Sequence, residues 1–492
     1  MGFKADTSFL RFLSMGAAGA RQVMAQMRAA GFEPIELERY CTSNKIWTTK
    51  VKRLRLPDLL CVRTGTRVEV RAKTDLKIRM SDAPANPDRR WNSGMRNDDL
   101  AAFIACFDQD GTPCPAPEAV FFNFGDLQKT EGLSALGPPK SASEGAERDR
   151  TWSCIVPQRN GVVDFVDKST IIVIMDPDEE RPMARRQTFQ LRGKSPYVSA
   201  GDRFIAESSI IAGIPSRRIE IKTYLKNTYD PLSDMGAKEA VDRYAAVKSL
   251  PFLAAKRKQA VEAIEKRLEA EKEDRVLLEA AGAGTALESA KAWEKLEGFV
   301  WSQQRPDLRM EAVFILTELK SAGARDVLIR IANDPAFAGN EIRQAAVWGL
   351  GKAGLKHYGD LVPFLRDGDR DVVLHAVAAF GSEASALVVA ELIAELTTGD
   401  EKRAPAASEA LRVIGNQVVL TELILALRQK KGADGWLLAT LGRLPADKVR
   451  SALKDDPLLA RLEPLLLLSH TSNWMAEDSV DIDLKFLMKQ DL

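Results

Sequence analysis

Repetition in the second half of this chain constrains its fold more than any other feature. The segments Glu311-Ala312-Val313 to Leu319, Ala345-Ala346-Val347 to Gly354, His375-Ala376-Val377 to Gly381, Glu409-Ala410-Leu411 to Gly415 and Leu438-Ala439 to Gly442 share one pattern. Taken from Ala312, Ala346, Ala376 and Ala410, the intervals are 34, 30 and 34 residues, a length that suits two short helices and two turns per unit. Small alanines let paired helices approach closely. The apolar runs Val327 to Ile331, Leu361 to Leu365, Val388 to Leu396 and Leu420 to Leu427 supply the second helix of each unit. Such units bury their apolar faces against one another, so residues 289–470 are expected to form an all-α solenoid, with 471–492 as a tail.

The first 130 residues show no such period. Ala20, Val23, Met24, Met27 and Ala30 fall near helical spacing over 16–30, and Gly31 is a natural stop. Leu56 to Val62 and Arg67 to Lys73 read as a hairpin. Asn97-Asp98-Asp99 offers an N-cap and first-turn acids for a helix through Leu100, Phe103, Ile104 and Phe107, ended by Asp110-Gly111. Ala119 to Phe124 follows as a buried strand. This order predicts an α/β domain over 1–130. Gly, Pro and Ser mark a loop over 131–150, within a β-rich region, 131–230, that is either a second module or an extension of the first sheet. Its apolar runs are Ser169 to Met175 and Phe204 to Ile211. A helical connector, interrupted at Pro251, occupies 231–288.

A chain of 492 residues with 45% apolar content can build several cores. It lacks a secretory h-region and an apolar run near the ~20 residues of a membrane span. Its five cysteines, Cys41, Cys61, Cys106, Cys114 and Cys154, form no CxxC pair. A reducing cytoplasm and no membrane partner are therefore expected. The net charge of +1 is uninformative, but from Lys45 to Arg96 fourteen Lys and Arg face five acids. That local excess attracts phosphate backbones.

Alternation along a strand places Glu69, Arg71 and Lys73 on one face and Val68, Val70 and Ala72 on the other. With Asp58 on the neighbouring strand, an acid faces an acid and bases. Such a set can hold a divalent metal against a phosphate, which makes hydrolysis of nucleic acid the leading expectation. All three histidines, His357, His375 and His470, lie in or after the repeats, so imidazole-dependent chemistry is excluded from the first domain. Lys50, Lys52, Arg53, Arg55, Arg89, Arg90, Trp91 and Arg96 are candidate nucleic-acid contacts, though Trp91 can equally pack back onto the sheet. Gly193-Lys194-Ser195 fails as a P-loop, because Thr188 stands at the first glycine position and Pro196 follows. Gly282-Ala283-Gly284 reads as a helix break.

Pro57-Asp58 and Glu69 to Lys73 resemble the core of the PD-(D/E)XK nuclease superfamily, in which a strand Asp and a following acid-x-Lys flank a metal. The resemblance implies a restriction-endonuclease-like fold. It also implies Asp58 and Glu69 as ligands of magnesium or manganese, with Glu36 and Glu38 as acids available to add a ligand. The chain departs from the pattern at the base: Arg71 stands where the family has lysine, and Lys73 lies one alternation further along. Arginine is a poor proton acceptor at pKa above ~12. Either Lys73 orients or deprotonates the attacking water while Arg71 stabilises developing charge, or Arg71 acts electrostatically alone, or the site is degenerate. DNA is favoured over RNA because the resembled superfamily mostly cuts DNA. The repeats resemble the short HEAT-like repeats of bacterial proteins, which implies a protein partner or self-association, since their charges are near balance. A nuclease fused to such a solenoid suits bacterial defence or DNA repair. The competing expectation is a non-catalytic adaptor whose basic domain only binds nucleic acid.

Overall fold

A computed structural model of the chain describes residues 7–37, 49, 54–83, 90–109, 112–136, 148–302, 305–337, 339–352, 357–397, 403–429 and 434–468. The chain divides into two compact units. One is built from 8–42 and 52–283, the other mainly from 284 onward with 43–51.

The first unit opens with helix α1, Thr7–Ala29, which ends where Gly31 takes a φ of +98°. Strands β1 (Pro34–Glu36), β2 (Leu59–Cys61) and β3 (Arg67–Lys73) follow. They run antiparallel in that order, with Leu59 opposite Val68 and Leu60 opposite Arg67, so the expected hairpin forms. A short strand β4, Ile78–Asp82, leaves this sheet.

The stretch expected to be a helix from Asn97 is instead β5, Leu100–Gln109, lying parallel to β3 with Glu69 beside Ala101. Residues Leu100 to Cys106 are buried on both faces, and a short apolar run of this kind carries no period that separates strand from helix. Asp99, expected among the N-cap and first-turn acids, is spent on an ion pair with Arg67 of β3. Strands β6 (Thr112–Pro115) and β7 (Val120–Asn123) both pair antiparallel with β5, and helix α2 spans Phe124–Lys129.

The even-numbered face of β3 is covered by α1. A Cβ on Gly19 would stand 2.4 Å from Ala72 Cβ and 3.2 Å from Ile104, so only glycine lets the helix lie this close. Strands β8 (Leu133–Leu136) and β9 (Arg148–Trp152) form a separate three-stranded sheet with β4, in the order β4-β9-β8. One core joins Val23 and Met27 of α1, the central strands, Trp91, Trp152, Tyr197 and Ile221.

The β-rich stretch builds sheets of its own. Strands Gly161–Val166, Thr170–Met175, Arg185–Gln190 and Arg203–Phe204 enclose a smaller core of Val163, Ile171, Val173, Leu191, Phe204 and Ile211. The expected strand from Phe204 to Ile211 stops at Phe204. The Ile205 N–H donates to Ser209 Oγ at 2.9 Å and the Ala206 N–H to Asn160 Oδ1 at 2.8 Å, and these bonds hold a turn in place of a ladder. Helices Ala240–Ser249, Arg257–Ala270 and Asp274–Ala286 follow. The last runs straight through Gly282-Ala283-Gly284, which is therefore no helix break; Ala280, Ala281 and Ala283 in that turn are buried.

Every described element of the second unit is a helix. Its helices alternate in the order the repeat predicts, Pro306–Glu318 then Ala322–Asn333, Arg370–Ala379 then Ala386–Thr397, and Ala404–Ile414 then Gln417–Arg428; Ala386–Thr397 packs on the two helices that follow it. Ala312, Ala346, Ala376 and Ala410 are wholly buried. The segment Leu361 to Leu365 departs from the pattern, lying in a 3-10 helix, Tyr358–Arg366, because Pro363 has no N–H to give an α-helical ladder. Side chains of Ser321, Asn340, Asp369 and Asn416 cap four of the helices, and Thr49 is tied in through its N–H, 2.7 Å from Glu341 Oε2. Among the described residues no helix is long and apolar enough to cross a membrane.

Candidate functional site

The pairing of Leu59 with Val68 continues to place Asp58 opposite Glu69 at the open end of the hairpin. Asp58 is half-buried, and its Oδ2 accepts the Val70 N–H at 2.7 Å, a bond that fixes the carboxylate against β3. Glu69 is buried, and Arg71 Nη2 lies 2.5 Å from its Oε1. Continuing that register sets Asp58 and Glu69 on neighbouring strands, and Arg71 follows Glu69 on the same face of β3, before Lys73.

Lys73 is half-buried at the end of β3, beside Ala105. Burial first, then the guanidinium of Arg79 on β4, push its ammonium down to about 8, while Asp149 on β9 pulls the other way; Arg71 lowers it further and Asp75 opposes. A lysine so placed is neutral in part near pH 8, as a proton acceptor must be. The charges that weigh most on it come from β4, β9 and Arg71 on its own strand, then from the β3–β4 turn, not from Asp58 or Glu69.

The remaining candidates divide. Glu36 pairs in register with Leu59, which puts it on the Leu59–Val68 face and not on the Glu69 face. Trp91 is buried in the core. It stacks on Phe124 at 5.8 Å, meets Trp152 edge-on at 5.2 Å and carries Arg150 over its ring at 5.3 Å, so it packs on the sheet and presents no face to a base. The Arg96 guanidinium is engaged with Asp242, its Nε 2.9 Å from Oδ1, and with Asp234 at 3.4 Å. Arg55 and Arg90 are exposed. Glu38, Lys50, Lys52, Arg53 and Arg89 lie outside the described residues.

Sequence reasoning missed Arg67. It lies on the Glu69 face one alternation earlier and is 2% exposed. Its Nε donates to Asp99 Oδ1 at 2.7 Å, its Nη2 to Asp99 Oδ2 and at 3.2 Å to Gly94 O, and its Nη1 to Asp242 Oδ1 at 2.9 Å. This network joins β3, β5, the loop before β5 and the helix Ala240–Ser249. The Arg67-x-Glu69-x-Arg71-x-Lys73 alternation was the available signal.

Among the described residues no three His, Cys, Asp or Glu side chains gather as a metal-ligand group. Magnesium needs fewer, commonly one or two carboxylates with water and substrate phosphate completing its shell. Asp58 and Glu69 supply two carboxylates of that kind, one oxygen of Asp58 accepting the Val70 N–H and one of Glu69 facing Arg71. A groove of about 790 Å³ elsewhere in this unit, lined by Tyr197, Arg217, Arg218 and Lys222, includes none of Asp58, Glu69 or Lys73.

No protein family matches the sequence, and no curated protein does. Solved structures similar to it include Escherichia coli YibA, at 15% identity and a TM-score of 0.25 over 45% of this chain and 80% of that one. Human deoxyhypusine hydroxylase in complex with glycerol is similar at 17% identity and a TM-score of 0.19, over 49% of this chain and 93% of that one.

Proposed function

We propose that the chain is a metal-dependent nuclease with a restriction-endonuclease-like first domain, cutting DNA in preference to RNA, and that its HEAT-like repeats take a protein partner or a second copy. The observation that carries this reading is the Asp58–Glu69 pair with a lysine of lowered pKa two alternations along the same strand face. Magnesium held by the two carboxylates would polarise the phosphodiester and the attacking water.

The chain's own residues do the rest. The Val70 N–H orients Asp58. Arg71 orients Glu69 and offers its other donors to the charge that grows on the phosphate oxygens. Lys73 accepts the proton from the attacking water at Nζ as the P–O bond to the leaving strand breaks.

The test uses the full chain with magnesium or manganese on plasmid, single-stranded DNA and RNA. Asp58→Ala and Glu69→Ala are expected to lose cleavage at least ~100-fold while retaining binding. Cleavage should rise with pH through about 8 in the wild type, and Lys73→Ala should remove both rate and inflection. Full activity in Lys73→Ala sinks the assignment of the base.

A second reading, a nucleic-acid-binding adaptor with a degenerate site, is favoured by the Glu69–Arg71 ion pair, which occupies the second carboxylate. Protein that binds and never cuts with either metal decides for it.

A further inference from the structure

The two ends of β3 treat their cations differently. At the first end, Arg67 donates hydrogen bonds from all three guanidinium nitrogens and is locked in the interior. At the far end, Arg71 on β3 and Arg79 on β4 are near enough to Lys73 to depress its charged form. Both side chains are roughly a third exposed, at 35% and 29%. Neither Nε has a hydrogen-bond partner, nor does that of Arg150 on β9.

Arg71 is paired with Glu69, but the carboxylates nearest Arg79 and Arg150 hold them loosely. Arg79 Nη1 is 3.6 Å from Asp149 and Arg150 Nε is 4.0 Å from Asp82, both beyond hydrogen-bond distance; Lys77 lies on Asp75. Like charges crowded where β3 meets β4, with guanidinium donors unmet, are costly without an anion among them. Partly exposed guanidinium forks match the oxygens of a phosphate.

We infer that Arg71, Lys73 and Arg79 form a cradle for a backbone phosphate of a nucleic-acid strand, Arg79 being its dedicated anchor. The inference deepens the nuclease reading, since it supplies the grip for a strand leading to Asp58 and Glu69. It is separable from that reading, because a cradle binds whether or not the site cuts.

The experiment measures binding of the full chain to fluorescent single-stranded DNA, and to its duplex, by anisotropy in EDTA across a salt series. Arg79→Gln is expected to weaken binding about 5- to 10-fold and to lower the slope of log K against log salt by about 1. Arg79→Lys should restore most of the affinity, and matching melting curves show that both variants are folded. An oligonucleotide of the same sequence with uncharged methylphosphonate linkages should lose binding in the wild type and show no difference between wild type and Arg79→Gln. Unchanged affinity and slope in Arg79→Gln, or a wild type that binds neither DNA, overturns the cradle. Parallel cleavage assays with magnesium separate the two readings. Binding that depends on Arg79 without any cleavage keeps the cradle and rejects the nuclease, whereas cleavage indifferent to Arg79→Gln does the reverse.

Discussion

The helical unit and the sheet unit both pair arginine with carboxylate, but to different ends. In the helical unit the partners stand about one repeat apart: Arg325 and Asp360 are separated by 35 residues, Arg330 and Glu297 by 33, Arg443 and Glu409 by 34. Each pair ties one repeat to the next, and the buried Glu409 is shared by Arg443 and Arg412. Arg343 and Asp367 close a similar link, with Nη1 3.0 Å from Oδ1. In the sheet unit, Arg67 and Arg96 are locked in the same manner, over separations of up to 175 residues, and Arg71 is held by Glu69, while Arg79 is held loosely, its Nη1 3.6 Å from Asp149. Charge committed to internal partners holds a fold together, and charge left loosely paired on a strand end is available to a ligand.

The largest effect that could break this comparison is on stability. Glu409 and Arg67 are both almost wholly buried, so Glu409→Ala strands two guanidiniums and Arg67→Met strands the Asp99 carboxylate. Each should cost about 3–5 kcal/mol, seen in calorimetry as a fall in the melting transition of its own unit. The Arg67 variant has a further signature. Burial already holds the Asp99 carboxyl above its ordinary range, and loss of Arg67 raises it more. A carboxyl raised in the folded state binds protons that the unfolded chain releases, so the deficit should shrink as pH falls from 8 to 5. A deficit that is flat with pH, or an Arg67→Met protein as stable as the wild type, would show that the network is not what locks this end of β3.

Legibility from the sequence follows the same divide. In the repeats the contacts are local and periodic, so Ala312, Ala346, Ala376 and Ala410 declared their burial through spacing, and only Pro363 forced a departure. In the sheet unit the deciding contacts are distant. The run from Leu100 to Phe107 has the composition of a helix and becomes a strand because β3 and β7 cover its edges and α1 one of its faces. The hairpin of Asp58 and Glu69 was readable because its register is local. The commitments of Arg96 and Trp91 were not, since Asp242 and Trp152 lie 146 and 61 positions away in sequence. Lys73 was readable as a strand-face residue, but its environment depends on Arg79 and Asp149, which only the β4–β9 pairing brings near.

A smaller effect tests whether α1 positions the functional strand. The Cβ that Gly19→Ala adds would meet Ala72 Cβ, on the face of β3 opposite Glu69 and Lys73. Overpacking of this sort costs about 1–3 kcal/mol and is relieved by a shift of helix or strand. Cleavage, or DNA binding in EDTA, should fall along with the melting temperature, because β3 carries both proposed ligand-facing groups. Ala72→Gly opens space at the same contact, and the double variant should recover part of the stability. If Gly19→Ala lowers stability while function is untouched, the register of α1 on β3 has no bearing on the site.

The smallest effect runs opposite in sign. Lys73 has a folded pKa of about 8 against an ordinary value of 10.5, with burial and Arg79 as the main causes, and Arg71, Asp149 and Asp75 as the other charges facing it. Below pH 8 the folded state must therefore hold an ammonium that the unfolded chain holds more easily. This is a cost, and it fades between about 8 and 10.5 as the folded lysine loses its proton first. Lys73→Met keeps the length of the side chain and removes the charge, so it should stabilise the sheet unit by about 1–2 kcal/mol at pH 7. At pH 9.5 the gain should be much smaller. The same substitution should remove cleavage and weaken DNA binding. A stability gained by deleting a group that function requires is the mark of a residue kept for its chemistry. A Lys73→Met protein less stable than the wild type at pH 7 would instead place Lys73 with Arg67, among the charges that serve the fold.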